Sequence, residues 1–239
     1  MSGGGGKGRP ELTVATYNIH KAVGSDFRRD PDRVLRVIAE LGADVLALQE
    51  ADRRFGERAA VLDPVRLREA TGLEPVRLVR RLGSQALGWH GNLLLARPGL
   101  VTAARPLVLP ALEPRGAILA DLDVAGRPLR VVAAHLGLLA PSRRAQLRRI
   151  ARWLDAQDDR PGLLLGDLNE WREGGDLDLA GARIRAPGRP ATYPARLPLL
   201  PLDAILADRR LEVAELEPFD TPAARRASDH LPLRARVRL

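Results

Sequence analysis

Residues 162–169 read Gly-Leu-Leu-Leu-Gly-Asp-Leu-Asn, a short apolar run that ends in a carboxylate and an amide. An apolar run of this length, bounded by glycines, is typical of a buried strand. A carboxylate at the end of a buried strand is costly to desolvate unless it has a partner. The stretch therefore predicts that Asp167 and Asn169 lie beside other polar groups, or a cation, at one edge of a sheet.

Four other apolar runs carry polar residues at one end, as the first run does. These runs and their polar ends are 12–18 with Asn18, 44–50 with Glu50, 129–135 with His135, and 231–239 with Asp229 and His230 just before it. Polar groups that follow several buried strands of one fold are expected to partner one another. We interpret the set as a candidate active site.

Apolar spacing predicts many short strands and a few covering helices, which is typical of an α/β sandwich. Asp30, Pro31 and Gly42 supply a cap, a first residue and a stop for the first helix. The predicted helices are 31–41, 64–71 and 142–157. The predicted strands are 12–17, 44–49, 76–79, 92–96, 101–108, 117–124, 129–134, 162–166, 202–207, 211–217 and 232–238, mostly antiparallel in the middle of the chain. No linker or repeat interrupts the pattern, so we expect one domain over residues 11–239 after a flexible tail at 1–10.

Composition excludes several classes of protein. The chain has 239 residues and no cysteine, which rules out disulfides, thiolate zinc sites and cysteine nucleophiles. No apolar stretch is long enough for a membrane span, and the N-terminus lacks the apolar region of a signal peptide, so the cytoplasm is the default compartment. The net charge is +8. Because nearly all basic residues are arginine, this charge fits either a phosphate-rich substrate or a GC-rich genome.

The polar ends contain the groups needed to hydrolyse a phosphate ester. A divalent cation can offset the charge of the anionic substrate and orient its phosphoryl group. Mg²⁺ takes oxygen ligands, so Asn18, Glu50 and Asp229 are suitable for it. The acid–base groups and a phosphate donor are then supplied by His135, Asp167, His230 and Asn169.

At this point a family resemblance is visible in the order of the motifs. These are Thr16-Tyr17-Asn18-Ile19-His20-Lys21, Leu48-Gln49-Glu50, His135-Leu136-Gly137, Gly166-Asp167-Leu168-Asn169, Pro201-Leu202-Asp203-Ala204-Ile205-Leu206 and Ser228-Asp229-His230. From residue 12 to the C-terminus the chain resembles the endonuclease/exonuclease/phosphatase superfamily. The resemblance implies a deoxyribonuclease I-like four-layer α/β sandwich, in which helices flank two packed, mostly antiparallel sheets.

The resemblance also implies roles for the metal-proximal and nucleophile-proximal positions. Asn18 and Glu50 would hold Mg²⁺ or Mn²⁺, with Glu50 the principal ligand. Asp167 would orient or deprotonate the attacking water, and Asn169 would contact the phosphate. Asp229 would support the metal site or the histidine that follows it.

For the remaining positions the resemblance implies contacts with the reacting phosphate. His230 would act on the scissile phosphate, and Asp203 would hydrogen-bond a catalytic histidine. His135 resembles the histidine of members close to deoxyribonuclease I and the sphingomyelinases, where exonuclease III-like repair enzymes usually have tyrosine. Arg115 would face the phosphate. Asn-Ile-His-Lys at 18–21 resembles a bacterial subgroup of small hydrolases.

Further candidates for substrate contact are His20, His90 and Asn92. His20 follows the metal asparagine closely, His90 precedes the strand predicted at 92–96, and Asn92 begins that strand. By contrast, the arginines of the helix at 142–157 are expected on a solvated face. They are Arg143, Arg144, Arg148 and Arg152.

The favoured function is a Mg²⁺- or Mn²⁺-dependent phosphodiesterase. Its substrate is either nucleic acid, DNA or RNA, or a phospholipid or small-molecule phosphodiester. A phosphomonoesterase of the inositol-phosphatase kind on the same site remains an alternative, as does a non-catalytic binding protein with the same fold. No motif of a nucleotide-binding loop, serine hydrolase or zinc protease occurs. The sequence indicates no obligate protein partner.

Overall fold

The computed structural model describes residues 9–53, 57–79, 83–110, 113–172 and 175–239. Most of the tail predicted at 1–10 lies outside the described residues. Strands are β1 (Glu11–Asn18), β2 (Val45–Gln49), β3 (Glu74–Pro75), β4 (Leu93–Ala96), β5 (Val101–Leu109), β6 (Arg115–Val124), β7 (Arg127–His135), β8 (Gly162–Asp167), β9 (Ile184–Arg185), β10 (Asp203–Asp208), β11 (Glu212–Pro218) and β12 (Leu233–Arg238). Helices are α1 (Pro31–Leu41), α2 (Pro64–Thr71), α3 (Ala140–Asp155) and α4 (Pro222–Ala227). Two short 3₁₀ turns cover His20–Ala22 and Asp176–Ala180.

The strands form two six-stranded mixed sheets, in the orders β11-β12-β1-β2-β4-β3 and β5-β6-β7-β8-β10-β9. Each sheet has one parallel pair, β1 with β2 and β7 with β8, and its other neighbours are antiparallel. Helices cover the outer faces, so the predicted four-layer sandwich is confirmed. Among the described residues, no helix has the length and apolar character that crossing a bilayer requires.

Strand β8 shows why its sequence is a continuous apolar run. Leu163 and Leu165 pack in the core between the two sheets, whereas Leu164 packs under α3 with Leu147 and Ile150. Successive side chains of a strand point to opposite faces, and here both faces are covered. Every residue of the strand is therefore buried, including the polar one at its end.

The helix boundaries follow from capping residues that the sequence already displays. Asp30 accepts a hydrogen bond from Arg33 N at 2.9 Å, Pro31 is the first residue of α1, and Gly42 ends it in the left-handed conformation at φ 60°. Helix α2 repeats the arrangement with Asp63 and Gly72. Both helices occupy the predicted ranges.

Three features differ from the sequence-based expectation. The strand predicted at 76–79 is wrong, because the sheet ladder lies at Glu74–Pro75 and the following residues keep only an alternation of buried and exposed side chains. Strand β9 and helix α4 were not predicted, since two and six residues are too short for a period to show. Finally, Arg143 is buried rather than solvated, and it pairs with buried Glu170 at 3.2 Å.

Gly166 is required by the close approach of β7 to β8. A Cβ at this position would lie 1.8 Å from the carbonyl oxygen of Ala134. We expect Gly166→Ala to reduce the free energy of unfolding by about 1–3 kcal/mol, because the strands would have to separate. Urea unfolding measures the effect. The control is Gly162→Ala on the same strand, where a Cβ meets only ordinary contacts at 3.6 and 3.8 Å. Equal stability of the two variants would contradict the expectation.

Candidate active site

Strand register brings the polar ends of five strands to one edge of the sandwich. Asn18 pairs in register with Gln49, next to Glu50, in the first sheet. In the second sheet, Asp167 is in register with His135 on one side and with Asp203 on the other. The Asn18 side-chain amide donates to Asp167 Oδ2 at 2.9 Å and links the two sheets. The predicted cluster is therefore present.

Asp167 is the centre of the cluster. Its Oδ2 accepts from Asn18 and lies 3.4 Å from His135 Nε2 and 3.9 Å from His230 Nε2. Its Oδ1 accepts the backbone N–H of Asn169 at 3.1 Å. Burial raises the pKa of Asp167, and the two nearby histidines oppose that rise. A buried carboxylate with a raised pKa is a better proton acceptor than an exposed one.

His230 and Asp203 form a buried, charged pair beside Asp167. His230 Nδ1 lies 2.7 Å from Asp203 Oδ2, and the Thr192 hydroxyl donates to the same oxygen at 2.7 Å. Burial lowers the pKa of His230, but Asp203, Asp167 and Asp229 more than reverse this, and its pKa rises to about 10. His230 therefore carries a proton at neutral pH and holds one positive charge among three carboxylates.

His135 has the opposite charge state. Burial lowers its pKa to about 4, although the negative charge of Asp167 opposes the shift. Its imidazole is neutral at physiological pH. Asp167 therefore lies between two histidines of different charge, because His230 is positive and His135 is neutral.

Asn169 is held beside this group by its own side chain. Its amide donates to the Leu136 carbonyl at 2.9 Å, one residue past His135. This hydrogen bond connects the turns that follow β7 and β8. The amide is buried at this position.

Glu50 lies at the mouth of a cavity of about 460 Å³. Lys21 Nζ contacts Glu50 Oε2 directly. Burial opposes ionisation of Glu50, but Lys21 and His135 outweigh it and hold its pKa below the ordinary value. The lining residues are Lys21, Glu50, Asp52, Arg58, His90, Gly91, Pro114, Arg115 and His135.

The structure separates the remaining candidates. Arg115 and His90 line the cavity, and His20 lies 3.7 Å from Asp229 at the exposed side of the cluster. Asn92 is not among the lining residues. Its buried amide instead donates to the carbonyls of Trp89 and Gly116 at 3.1 and 2.9 Å, which joins two backbone segments.

Backbone strain is concentrated around the cluster. His20, Lys21, Glu50, His90 and Asn169 all have φ between 44° and 54°. Side chains other than glycine seldom adopt this region, and strain of this kind is retained most often where geometry is needed for function. The strain is independent of the hydrogen bonds and points to the same site.

Oxygen donors at the first-sheet side of the cluster fit a hard divalent cation. Glu50 contacts the cationic group of Lys21, and the Asn18 side-chain oxygen accepts the His20 backbone N–H at 3.0 Å. The Ser228 hydroxyl donates to the backbone carbonyl of Asn18 at 2.7 Å and to Asp229 Oδ1 at 3.3 Å. Carboxylate and amide oxygens are the ligands that Mg²⁺ prefers.

A second group that could hold a metal ion consists of Asp167, Asp203 and His230, whose donor atoms lie within 4.8 Å of one another. Here the proton on His230 already supplies the positive charge that two buried carboxylates require. A metal ligand must be a neutral imidazole, so a cation would have to displace that proton.

Sequence reasoning missed two residues that shape the site. Thr192 orients Asp203, and Ser228 accepts the backbone N–H of His230 at 3.3 Å. Thr192 belongs to no motif and lies in a loop, so only its distance to Asp203 identifies it. Ser228 belongs to the Ser-Asp-His motif, but only the structure shows its contact with the His230 backbone.

The chain is similar to known proteins in both sequence and fold. The model of the Endonuclease/Exonuclease/phosphatase family matches residues 15–230, which is most of the chain. The chain belongs to this family. Among curated proteins, none matches this member of the family.

Several solved structures share this fold over nearly all of the chain. An endonuclease/exonuclease/phosphatase from Beutenbergia cavernae is 25% identical, with a TM-score of 0.69 over 97% of this chain and 72% of that one. A mannosyl-6-phosphatase from Bacteroides thetaiotaomicron is 16% identical, with a TM-score of 0.70 over 95% of this chain and 100% of that one. Truncated TDP2 from Caenorhabditis elegans is 16% identical, with a TM-score of 0.70 over 96% and 98%. The last two show the shared fold.

Proposed function

We propose that this chain is a divalent-metal-dependent phosphoesterase that hydrolyses a phosphodiester by in-line attack of water. The observation that carries the proposal is Asp167, a buried carboxylate held by Asn18 between neutral His135 and protonated His230. Family members are phosphoesterases, and this arrangement supplies a proton acceptor next to a positive charge. Those are the two groups that attack on an anionic ester requires.

Within the proposal each side chain has one task. Asp167 takes the proton of the water whose oxygen attacks phosphorus. The bond from phosphorus to the opposite ester oxygen breaks as the new bond forms, and the leaving oxygen takes a proton from solvent. The imidazolium of His230 donates a hydrogen bond to a phosphate oxygen and offsets the charge that accumulates on it. Asp203 is a positioning residue, because it holds the His230 ring and keeps its proton. Asn169 and Arg115 donate to the remaining phosphate oxygens.

Glu50, Asn18 and Asp229 would hold Mg²⁺ or Mn²⁺. When bound there, the cation would supply Lewis-acid stabilisation of the phosphate. Lys21 contacts Glu50 and therefore lies next to the proposed principal ligand.

A second candidate reaction is phosphomonoester hydrolysis on the same residues. The cavity of about 460 Å³ next to Glu50, lined by Arg115 and His90, is of a size that suits a compact substrate. One structural neighbour with this fold is named as a mannosyl-6-phosphatase, a name that indicates a small phosphate ester as its substrate. A non-catalytic binding role is less consistent with a carboxylate and two histidines in different protonation states.

The test compares two chromogenic esters, bis(p-nitrophenyl) phosphate and p-nitrophenyl phosphate, with Mn²⁺ or Mg²⁺ and with EDTA. Release of nitrophenolate from the diester, stopped by EDTA, is the expected result. Faster turnover of the monoester would replace the diesterase with the monoesterase. If neither ester reacts under any metal condition, the hydrolytic proposal is wrong for these ester classes.

Glu50→Gln is expected to weaken Mn²⁺ binding by at least about tenfold. Substitution of residues that only support a metal ligand already lowers metal affinity by about 10–100-fold. The substitution keeps the shape of the side chain and removes the charge that a cation binds. Isothermal titration with Mn²⁺ measures the affinity without any substrate. Glu40→Gln, on the exposed end of α1, is the matched control and should bind Mn²⁺ as the wild type does. Unchanged affinity in Glu50→Gln would remove Glu50 from the metal site.

A further inference from the structure

Three loops at the catalytic edge expose large apolar side chains to solvent. Each of these side chains is between 50% and 66% exposed. Together we call them the apolar rim, and its members are Leu138, Leu139, Trp171, Leu197 and Leu199. Isolated exposed apolar residues are ordinary, but several on adjoining loops of one edge indicate an interaction surface.

The loops of the apolar rim are joined by the side chains of two arginines, buried Arg143 and half-buried Arg189. Arg143 donates to the Leu138 carbonyl at 2.6 Å and to Glu170 at 3.2 Å. Arg189 donates to the Glu170 carbonyl and, at 2.9 Å, to the Pro201 carbonyl. One chain of hydrogen bonds therefore runs from the first loop through the second to the third. The three loops that carry the apolar rim are thus held together by hydrogen bonds.

The position of the apolar rim is set by the catalytic cluster. Leu138 and Leu139 follow His135 by three and four residues, and Trp171 follows Asn169 by two. Leu197 and Leu199 lie in the segment that leads into Asp203. The same strand ends that carry the catalytic cluster thus carry the apolar rim. A surface that bound the rim would lie next to the phosphate site.

Within the described residues of the three loops, the exposed charged side chains around the apolar rim are basic, and the acidic residues Glu173 and Asp176 follow the second loop in the sequence. Segments 136–142, 168–172 and 191–202 contain a single acidic residue, Glu170, which is buried against Arg143. The charged residues that these segments expose are Arg172 and Arg196. Arg172 lies over the Trp171 ring, with 5.3 Å from its guanidinium carbon to the ring centroid. Leucine and tryptophan beside arginine are the side chains that enter the interface of an anionic bilayer.

We propose that the apolar rim docks the catalytic edge on the surface of an anionic lipid bilayer. The leucines and Trp171 insert at the level of the headgroups, and Arg172 and Arg196 contact lipid phosphates. A second copy of this chain is a poorer occupant, because a two-fold interface would place the arginines of both copies against each other. The substrate class that follows, which rests on the proposed function, is a phosphate ester in a lipid headgroup.

Binding to vesicles tests the proposal without any catalysis. The full chain, in EDTA, is sedimented with vesicles of phosphatidylcholine alone or phosphatidylcholine mixed with phosphatidylglycerol. We expect binding to the mixed vesicles, weakening as salt is raised because the lipid charge is screened. Because no hydrolysis is measured, failure of the proposed function would not affect this result. Absence of binding to the mixed vesicles would overturn the docking proposal.

Variants locate the binding surface. The double variant Leu138→Ser/Leu139→Ser is expected to weaken vesicle binding by at least about tenfold. It removes two leucine side chains that would be buried in the bilayer interface. Val65→Ser, an equally exposed apolar residue on α2, is the matched control and should change binding less than twofold. Thermal unfolding of each variant verifies the fold. Equal losses in the two variants, or tighter binding to duplex DNA than to mixed vesicles, would overturn the proposal.

Discussion

Asp167→Asn is expected to lower kcat on the phosphodiester by about 10²–10⁴-fold, which is the usual contribution of a positioned acid–base group. The substitution is nearly isosteric. An asparagine at this position cannot accept a proton from water, and it presents an amide to Asn18, His135 and His230 where they now meet a carboxylate. Chemistry is therefore lost while the strand is retained.

The matched control for this variant is Asp208→Asn. Asp208 lies at the other end of β10, where it pairs with Arg210 at 2.8 Å and takes no part in the catalytic cluster. Both variants remove one charge from a buried aspartate of the second sheet. Only Asp167→Asn is expected to lose turnover, and a loss of stability in Asp208→Asn should leave kcat unchanged. Turnover of Asp167→Asn near that of the wild type would remove Asp167 from the mechanism.

Much of the fold could be predicted because its signals are local. The caps Asp30 and Asp63 mark helix starts, and Gly42 and Gly72 mark helix ends. Buried strands such as β8 are apolar at every position because both of their faces are covered. The prediction of a strand at 76–79 was wrong because a local pattern does not show where a ladder ends. Burial still alternates in these residues although the ladder has already ended.

The site could be predicted as a set of strand ends, but its charge states could not. His135 lies near Asp167 through the register of β7 and β8, and His230 lies there beside Asp203 of β10, which is also in register with Asp167. That one histidine is protonated and the other neutral depends on the buried carboxylate of Asp203, which lies 2.7 Å from His230 Nδ1 and raises the pKa of that histidine. Arg143 shows the same limit, because the spacing that puts it off the apolar stripe of α3 cannot reveal buried Glu170 opposite.

His230→Asn is expected to lower kcat by about 10²–10⁴-fold. This is the usual contribution of a positioned, protonated group beside the reacting phosphate. Its effect on stability has a distinctive pH dependence. In the folded protein the pKa of His230 is about 10, whereas in the unfolded chain it is 6.5. Between these values the native state keeps a proton that the unfolded state has released, so raising the pH favours unfolding.

The stability that His230 contributes is thus fully present below pH 6.5 and is lost as the pH rises toward about 10. Urea unfolding of the wild type and of His230→Asn across this range measures the difference. We expect the wild type to lose stability relative to the variant as the pH rises, because asparagine carries no titratable proton. A structural role for the ring alone would give parallel curves. Parallel curves together with a large loss of kcat would mean that His230 acts as a neutral donor, and the imidazolium proposed for phosphate stabilisation would have to be abandoned.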